Sequence, residues 1–223
     1  MGGYLSTERQ LDEITGQYDR VARFYKAFEP LYLIFPIARR KAVAALALEA
    51  GDTVLEVGAG TGRNFPYLIE AVGPRGRVIG VDASAGMLRE ADKLVEKCGW
   101  SNVLLQRQDA VQLELDGEVD AVLFSLSYSA MPEPKRALER AWQSLEPGGR
   151  LTVMDAGLTQ TRFRRLLDPI ARLLIRLGPG NPYSRPWDDL AEFGEVAIER
   201  FMWIYYVCTV VKPKPEKVRV DTL

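Results

Sequence analysis

Residues 54–64 read Val54-Leu55-Glu56-Val57-Gly58-Ala59-Gly60-Thr61-Gly62-Arg63-Asn64. The short, largely apolar run Val54–Val57 suits a strand buried on both faces of a parallel sheet. Glycines then stand at every second position, Gly58, Gly60 and Gly62. Glycine permits positive φ and close approach of the backbone to a ligand, so the stretch predicts a strand, a tight loop and a helix start. A dinucleotide fingerprint of the form G-x-G-x-x-G needs its third glycine at position 63, where Arg63 stands. That spacing, with Glu56 just ahead of the loop, points away from a nicotinamide or flavin dinucleotide. No Gly-Lys-Ser/Thr follows, which excludes a phosphate-binding P-loop.

On either side of this loop the chain alternates strand-like and helical runs. Phe65–Val72 predicts the first crossover helix, and Arg77–Val81 a second strand that ends at Asp82. Ala83 and Ser84 open a further helix with Met87 one turn in. Val103–Arg107 is a third strand leading to Asp109-Ala110, and Val119–Phe124 a fourth that runs into Ser125-Leu126-Ser127-Tyr128. Arg150–Asp155 makes a fifth, and Val196–Phe201 with Trp203–Val211 a closing antiparallel pair that places Cys208 in the sheet. Such alternation predicts an α/β, doubly wound sheet, whose ligands bind outside the carboxyl ends of the parallel strands. Asp82, at the end of the second strand, suits a pair of ribose hydroxyls. Ser125 is a candidate cofactor contact, and Tyr128 a candidate to orient an acceptor or, equally, a packing residue. Asp155 is a candidate for a substrate ammonium or hydroxyl, or a cap for the next helix.

Composition narrows the function. The 223 residues carry 29 Lys and Arg against 30 Asp and Glu, and a net charge of -1 gives no global pull towards nucleic acid. The two cysteines, Cys98 and Cys208, lie far apart without a C-x-x-C pattern, which suits a reduced, cytoplasmic protein. The chain has no histidine, which removes histidine-based triads and most zinc sites; no metal is expected, and a general base must be carboxylate, tyrosine or water. Met1–Gln10 lacks the basic start and apolar core of a secretory signal, and no apolar run reaches the ~18 residues of a membrane span. No linker divides residues 1–223, so one domain is predicted: a helical cap over 1–50, a core over 51–156, and an amphipathic helix with closing strands over 157–223. A monomer is the simplest expectation.

Taken together, four stretches resemble the motifs of class I S-adenosylmethionine-dependent methyltransferases. Val54–Gly62 is similar to their first motif and Gly80-Val81-Asp82-Ala83-Ser84 to their second. Gln108-Asp109-Ala110 is similar to their adenine motif, and Leu145–Leu151 to the turn before strand five. The resemblance implies a seven-stranded, mostly parallel, Rossmann-like sheet that binds S-adenosylmethionine and releases S-adenosylhomocysteine. It also implies roles: Glu56 for the methionine ammonium, Gly58, Ala59, Gly60, Gly62 and Asn64 in the cofactor loop, and Asp82 with Ala83 at the ribose. Met87 falls against the adenine face, with core packing as its alternative. Asp109 would accept from the adenine amino group and the Ala110 N–H would donate to the ring.

The flanks point towards the acceptor. Leu11–Leu48 reads as mostly helical, interrupted at Pro30 and Pro36, with Tyr18, Phe24, Tyr25, Phe28, Tyr32 and Phe35 among basic residues. This segment resembles the cap of methyltransferases that act on quinones and phospholipids. The resemblance implies Tyr18 at the methionine carboxylate and Tyr25 facing the acceptor; Tyr32 joins Tyr25 on the acceptor side. Thr161–Leu177 has a helical apolar stripe flanked by five arginines, a pattern that lies on an anionic membrane surface or packs on its own sheet. After the break Gly178–Pro182, Tyr183 and Arg185 are candidates for the acceptor pocket, with loop packing as their alternative, and a short helix follows over Trp187–Phe193. The Asn/Asp-Pro-Pro-Tyr motif of nucleobase methyltransferases is missing after strand four, which argues against nucleic acid. The expectation is a methyltransferase peripherally bound to the inner face of a membrane, most similar to bacterial phosphatidylethanolamine N-methyltransferases. Ubiquinone/menaquinone C-methyltransferases come second and a soluble small-molecule methyltransferase third. A non-catalytic binding module on the same scaffold is the alternative from another class.

Overall fold

A computed structural model of the chain describes residues 15–16, 35–157, 181, 183–201 and 205–215. Their elements are helix α1 (Phe35–Ala45), β1 (Thr53–Val57), α2 (Phe65–Val72), β2 (Arg77–Asp82), α3 (Ala85–Cys98), β3 (Val103–Arg107), β4 (Val119–Ser125), α4 (Pro134–Gln143), β5 (Leu145–Ala156), α5 (Pro186–Leu190), β6 (Val196–Phe201) and β7 (Tyr205–Val211). The strands form one sheet in the order β3-β2-β1-β4-β5-β7-β6. The first five are parallel, and β7 pairs antiparallel with both β5 and β6. This is the seven-stranded, mostly parallel α/β sheet that the sequence predicts. The strand order reverses between β1 and β4, which opens a crevice at their carboxyl ends.

Alternation along β1 divides the core. Leu55 and Val57 join Ile79, Val122, Phe124 and Leu151 under α4. Val54 faces the other way, with Val78, Leu123 and Met154, towards Ala38 and Ala42 of α1 and Phe65 and Leu68 of α2. A strand period of two therefore puts Glu56 on the α1/α2 face with Val54. Phe65, fully buried, fixes how closely α2 sits on the sheet. A Cβ on Gly80 of β2 would lie 2.8 Å from its ring, and one on Gly62 2.6 Å.

Boundaries differ from expectation in physical detail. Pro36 stands in the first turn of α1, where its missing N–H costs nothing, rather than interrupting a helix. Ser84 caps α3 by accepting from the Met87 N–H at 3.1 Å, so the helix begins at Ala85. β5 starts at Leu145, ahead of the expected Arg150, because the turn itself joins the ladder. Val119 pairs with Leu145, the Gly148 N–H donates to the Lys212 carbonyl at 2.8 Å, and the Lys212 N–H donates to the Gly149 carbonyl at 2.9 Å. α5 is shorter than predicted, ending at Leu190. The amphipathic run Thr161–Leu177, most of Gly178–Pro182 and most of the N-terminal cap lie outside the described residues.

Phe65→Ala should destabilise the protein by about 3–5 kcal/mol, because the void under Gly62 and Gly80 is walled by the sheet and cannot collapse. Urea unfolding would measure this, and a loss under ~1 kcal/mol would show that α2 does not depend on the ring.

Candidate active site

The loops after β1 and β4 are stitched together across the crevice. The Gly58 and Ala59 N–H groups donate to the Val81 carbonyl at 2.8 and 3.0 Å, turning the glycine loop over the end of β2. Asp82 then accepts from the Gly60 N–H through Oδ2 and from the Ser84 N–H through Oδ1, both at 2.8 Å. One carboxylate thus ties the glycine loop to the start of α3. On the β4 side, Ser127 Oγ donates to the Val57 carbonyl at 2.7 Å. Gly58 has φ +73°, and a Cβ there would lie 2.5 Å from Ser127 Cβ, so only glycine allows this approach. Leu126, between Ser125 and Ser127, has φ 56° without being glycine, a strained backbone held by its N–H on the Met154 carbonyl at 2.8 Å.

These loops enclose a cavity of about 160 Å³. Glu56, Gly58, Ala59, Gly60 and Ser125 line it from the β1 and β4 ends. Asp82, Ala83, Met87, Asp109 and Ala110 line it from the β2 and β3 ends. Asp109 also accepts from the Val111 N–H at 3.1 Å, so it caps the short turn Ala110–Gln112 while facing the cavity. Ala130, Met131 and Pro132 form an apolar wall on the remaining side. Thr15, in a helical stretch far from the core in sequence, also reaches the cavity.

Glu56 dominates the electrostatics. It is 1% exposed; Oε1 accepts from Asn64 Nδ2, while Oε2 is buried with no hydrogen-bond partner among the described residues. Burial pushes its carboxyl up to about 7, opposed by the Asn64 hydrogen bond and the Arg39 charge and reinforced by Asp82. A buried carboxylate with one unsatisfied oxygen on a cavity is built to meet a ligand cation. Ser125 Oγ is another buried oxygen on this cavity without a partner among the described residues. Among the described residues no group of three or more His, Cys, Asp or Glu is placed to hold a metal ion.

Several sequence candidates stand elsewhere. Asn64 is buried beneath the cavity between Glu56 and Arg39, whose Nη1 donates to Asn64 Oδ1 at 2.8 Å; it positions Glu56 instead of lining the space. Gly62 lies behind the loop against the Phe65 ring. Tyr128 is 1% exposed, packs edge-on against Phe124 and donates its hydroxyl to Asp189, so the acceptor-facing reading gives way to the packing one. Burial and Asp189 push its phenol far up, which disqualifies it as a base at neutral pH. Asp155 is also turned inward: Oδ2 accepts from the Ser129 N–H at 2.9 Å and Oδ1 from the Ala156 N–H at 2.8 Å, and burial raises its carboxyl. It anchors the β4 loop and neither caps a described helix nor lines the cavity. Arg185 lies over the Trp187 ring and pairs with Asp188, and the Tyr183 N–H donates to Asn181, so both belong to the loop leading into α5. Tyr18, Tyr25 and Tyr32 lie outside the described residues.

The sequence reading missed Arg39, Arg63 and Thr15 as cavity residues, and named Ser127 and Met131 only as part of the loop after the fourth strand. Arg39 sits in the run Arg39-Arg40-Lys41, which reads as one basic face. In the helix the three diverge: Arg40 lies over Tyr67, Lys41 pairs with Glu199, and Arg39 turns inward. The helical period, with buried Ala38 and Ala42 on either side, is the signal that would have singled it out.

A reversed strand order, a glycine loop over it and carboxylates at the ends of β1 and β2 define the class I methyltransferase architecture. Residues 54–149 match the family described as a methyltransferase domain. Among solved structures, the DhpI–SAH complex superposes with a TM-score of 0.68 at 22% identity, over 92% of this chain and 98% of that one. A SAM-dependent methyltransferase from Aquifex aeolicus gives 0.63 at 21% identity, over 83% and 97%. In sequence, an arsenite methyltransferase of Aquipseudomonas alcaligenes is 32% identical over 155 residues, covering 66% of this chain and 44% of the relative. A demethylmenaquinone methyltransferase of Symbiobacterium thermophilum is 29% identical over 164 residues, covering 72% and 65%. The chain thus spans less than half of the arsenite methyltransferase. Residues 54–149 thus match a methyltransferase domain, set in a fold shared with S-adenosylmethionine-dependent methyltransferases.

Glu56 generates a pH prediction. With a ligand ammonium seated on an ionised Glu56, S-adenosylmethionine affinity should be level above pH ~7 and fall about tenfold per pH unit below it, as a proton must leave on binding. Glu56→Gln should flatten that profile in calorimetric titrations. Stability has the opposite sense. With its folded value raised from 4.5 to about 7, Glu56 makes the empty protein less stable as pH rises through that window, by on the order of 3 kcal/mol in all. Glu56→Gln should remove that slope from urea midpoints.

Proposed function

We propose that this chain forms a single-domain enzyme that transfers methyl groups from S-adenosylmethionine to a lipidic acceptor at a membrane surface. The observation that carries methyl transfer is the unsatisfied Glu56 Oε2 facing the cavity across from Asp82 and Asp109. Glu56 would take the ammonium, Asp82 the ribose hydroxyls, and Asp109 with the Ala110 N–H the adenine edge, while Met87 packs on its face. When bound, the sulfonium supplies an already activated methyl group, so the protein's task is to align donor and acceptor and keep water out. The apolar wall Ala130-Met131-Pro132 suits that exclusion.

A lipidic acceptor is supported by the surface near α1. Ile37 is 51% exposed on the same outer face as Arg40, an apolar residue beside a cation. No helix among the described residues is long and apolar enough to cross a membrane, so contact would be peripheral. We place the enzyme on the cytoplasmic face, as a monomer without a nucleic-acid partner. The relatives described as demethylmenaquinone methyltransferases favour a quinol ring carbon as acceptor. The loop Phe124–Met131, which departs from the Gly-Leu-Arg-Asn-like pattern of quinone enzymes, favours the amine of phosphatidylethanolamine as the second reading. Arsenite fits poorly. It is thiophilic, yet Cys98 lies exposed at the end of α3 and Cys208 is buried in β7 with its thiol pushed up to about 12, and neither lines the cavity.

The test is transfer of labelled methyl groups to vesicles carrying either a demethylated menaquinol or phosphatidylethanolamine, followed by lipid separation. Label in the quinol fraction supports the first reading, label in mono-, di- or trimethylated head groups the second. Cofactor binding with no label in either lipid sinks the lipidic acceptor. Glu56→Ala should lower turnover on whichever acceptor responds by at least about tenfold at subsaturating cofactor.

A further inference from the structure

We infer that Gln108 is a positioning residue for base recognition: its side-chain amide clasps the 108–114 loop shut and so sets Asp109 and the Ala110 N–H against the adenine edge. The inference rests on the cavity being the S-adenosylmethionine site, with Asp109 and Ala110 at the base. Gln108 Nε2 donates to the Glu114 carbonyl at 3.0 Å, and Oε1 accepts from the Glu114 N–H at 2.9 Å. The side chain thus pairs with both main-chain groups of a residue six positions on, as one strand residue pairs with another. Nε2 also donates to Gln106 Oε1 at 2.8 Å, so both amide hydrogens are engaged by the protein. Gln108 therefore acts through the loop and not on the ligand.

Other contacts hold the loop at other points. The Gln108 N–H donates to the Asp82 carbonyl at 3.2 Å and Arg107 Nε to the Ala83 carbonyl at 3.0 Å, so the loop departs from the segment at the ribose. Asp109 accepts from the Val111 N–H, and Val111 and Leu113 are buried in the core beneath α4. These contacts set the depth of the turn, while the Gln108–Glu114 clasp joins its two ends. Glu114 is exposed, where water can serve its main-chain groups, so the clasp is not needed to satisfy buried polarity. Its consequence is geometric. Adenine presents an amino donor beside a ring acceptor, and two successive residues, Asp109 and Ala110, must meet both at once. Hydrogen bonds weaken steeply off-axis, so the pair discriminates only while the loop holds its shape.

The discriminating experiment compares, by calorimetry on the full chain, S-adenosylhomocysteine with S-inosylhomocysteine, whose 6-oxo group replaces the amino donor. The wild type should prefer the adenine ligand by at least about tenfold, since the inosine ligand sets an oxygen against Asp109. Gln108→Met, similar in size without the amide, should shrink that preference to within about threefold. S-inosylhomocysteine should bind this variant within about twofold of wild type, which also shows that the variant is folded. Gln106→Ala removes only the contact outside the loop, and Glu114→Ala keeps the main-chain partners, so both should retain the wild-type preference. If Gln108→Met weakens both ligands equally, or keeps the preference, the amide only supports the fold and the inference is overturned. A wild type that binds both ligands alike overturns it as well. Failure of the wild type to bind S-adenosylhomocysteine at all would instead strike the cofactor reading on which the inference rests.

Discussion

The hydrogen bond between Asn64 and Glu56 is the constraint on which the rest of this site depends. It joins the end of β1 to the residue just ahead of α2, and through Arg39 it reaches α1. A carboxylate this deeply buried is costly, the more so because one of its oxygens has no hydrogen-bond partner among the described residues. The empty protein is therefore poised between a neutral carboxyl and an unpaired charge. Occupancy by a cation resolves the choice, so binding, protonation and stability are linked at one atom.

Around that atom the backbone is as constrained as the side chain. Gly58 has no room for a Cβ because Ser127 is bonded to the carbonyl of Val57, the preceding residue. Leu126 holds a left-handed conformation next to Ser125, whose hydroxyl is another buried oxygen on the cavity without a partner among the described residues. Strain and unsatisfied polarity coincide on one short arc at the carboxyl ends of β1 and β4. Elsewhere on that arc the polar groups are tied off: Asp82 by two backbone N–H groups, Ser129 by Asp155 and by the Asn181 N–H. A framework fixed at so many points keeps its few free oxygens aimed at a ligand before it arrives.

The sheet was legible in the sequence because its signals are local. Apolar runs bounded by glycine and aspartate gave Val103–Arg107, Val196–Phe201 and the helix Phe65–Val72 their observed limits. The acids that end β1, β2 and β3 were legible for the same reason, since a parallel strand delivers the residue at its carboxyl end to the crevice. Asn64 and Gly62 mark where this logic stops. Both lie in the quoted loop, yet the turn that aims Gly58 and Gly60 at the cavity sends these two behind it, and no periodicity announces which way a coil residue faces. Arg39 was hidden among three adjacent cations that only the packing of Ala38 and Ala42 separates.

Tyr128 shows why the acceptor half resists reading more than the cofactor half. A tyrosine just past the fourth strand sits where an acceptor would meet the methyl group, and its sequence neighbourhood is neutral between rim and core. Its direction is decided by Asp189, 61 residues further on, which accepts its hydroxyl, and by Phe124 beneath it. The same holds for Ser129, fixed by Asp155 of β5 and by Asn181. With Tyr128 and Ser129 drawn back, the residues of this loop on the cavity are Ser125, Leu126, Ser127, Ala130, Met131 and Pro132, none of them ionisable. The long-range contacts thus withdraw two of the loop's hydroxyls, leaving Ser125 and Ser127 on the cavity beside the apolar stretch Ala130-Met131-Pro132.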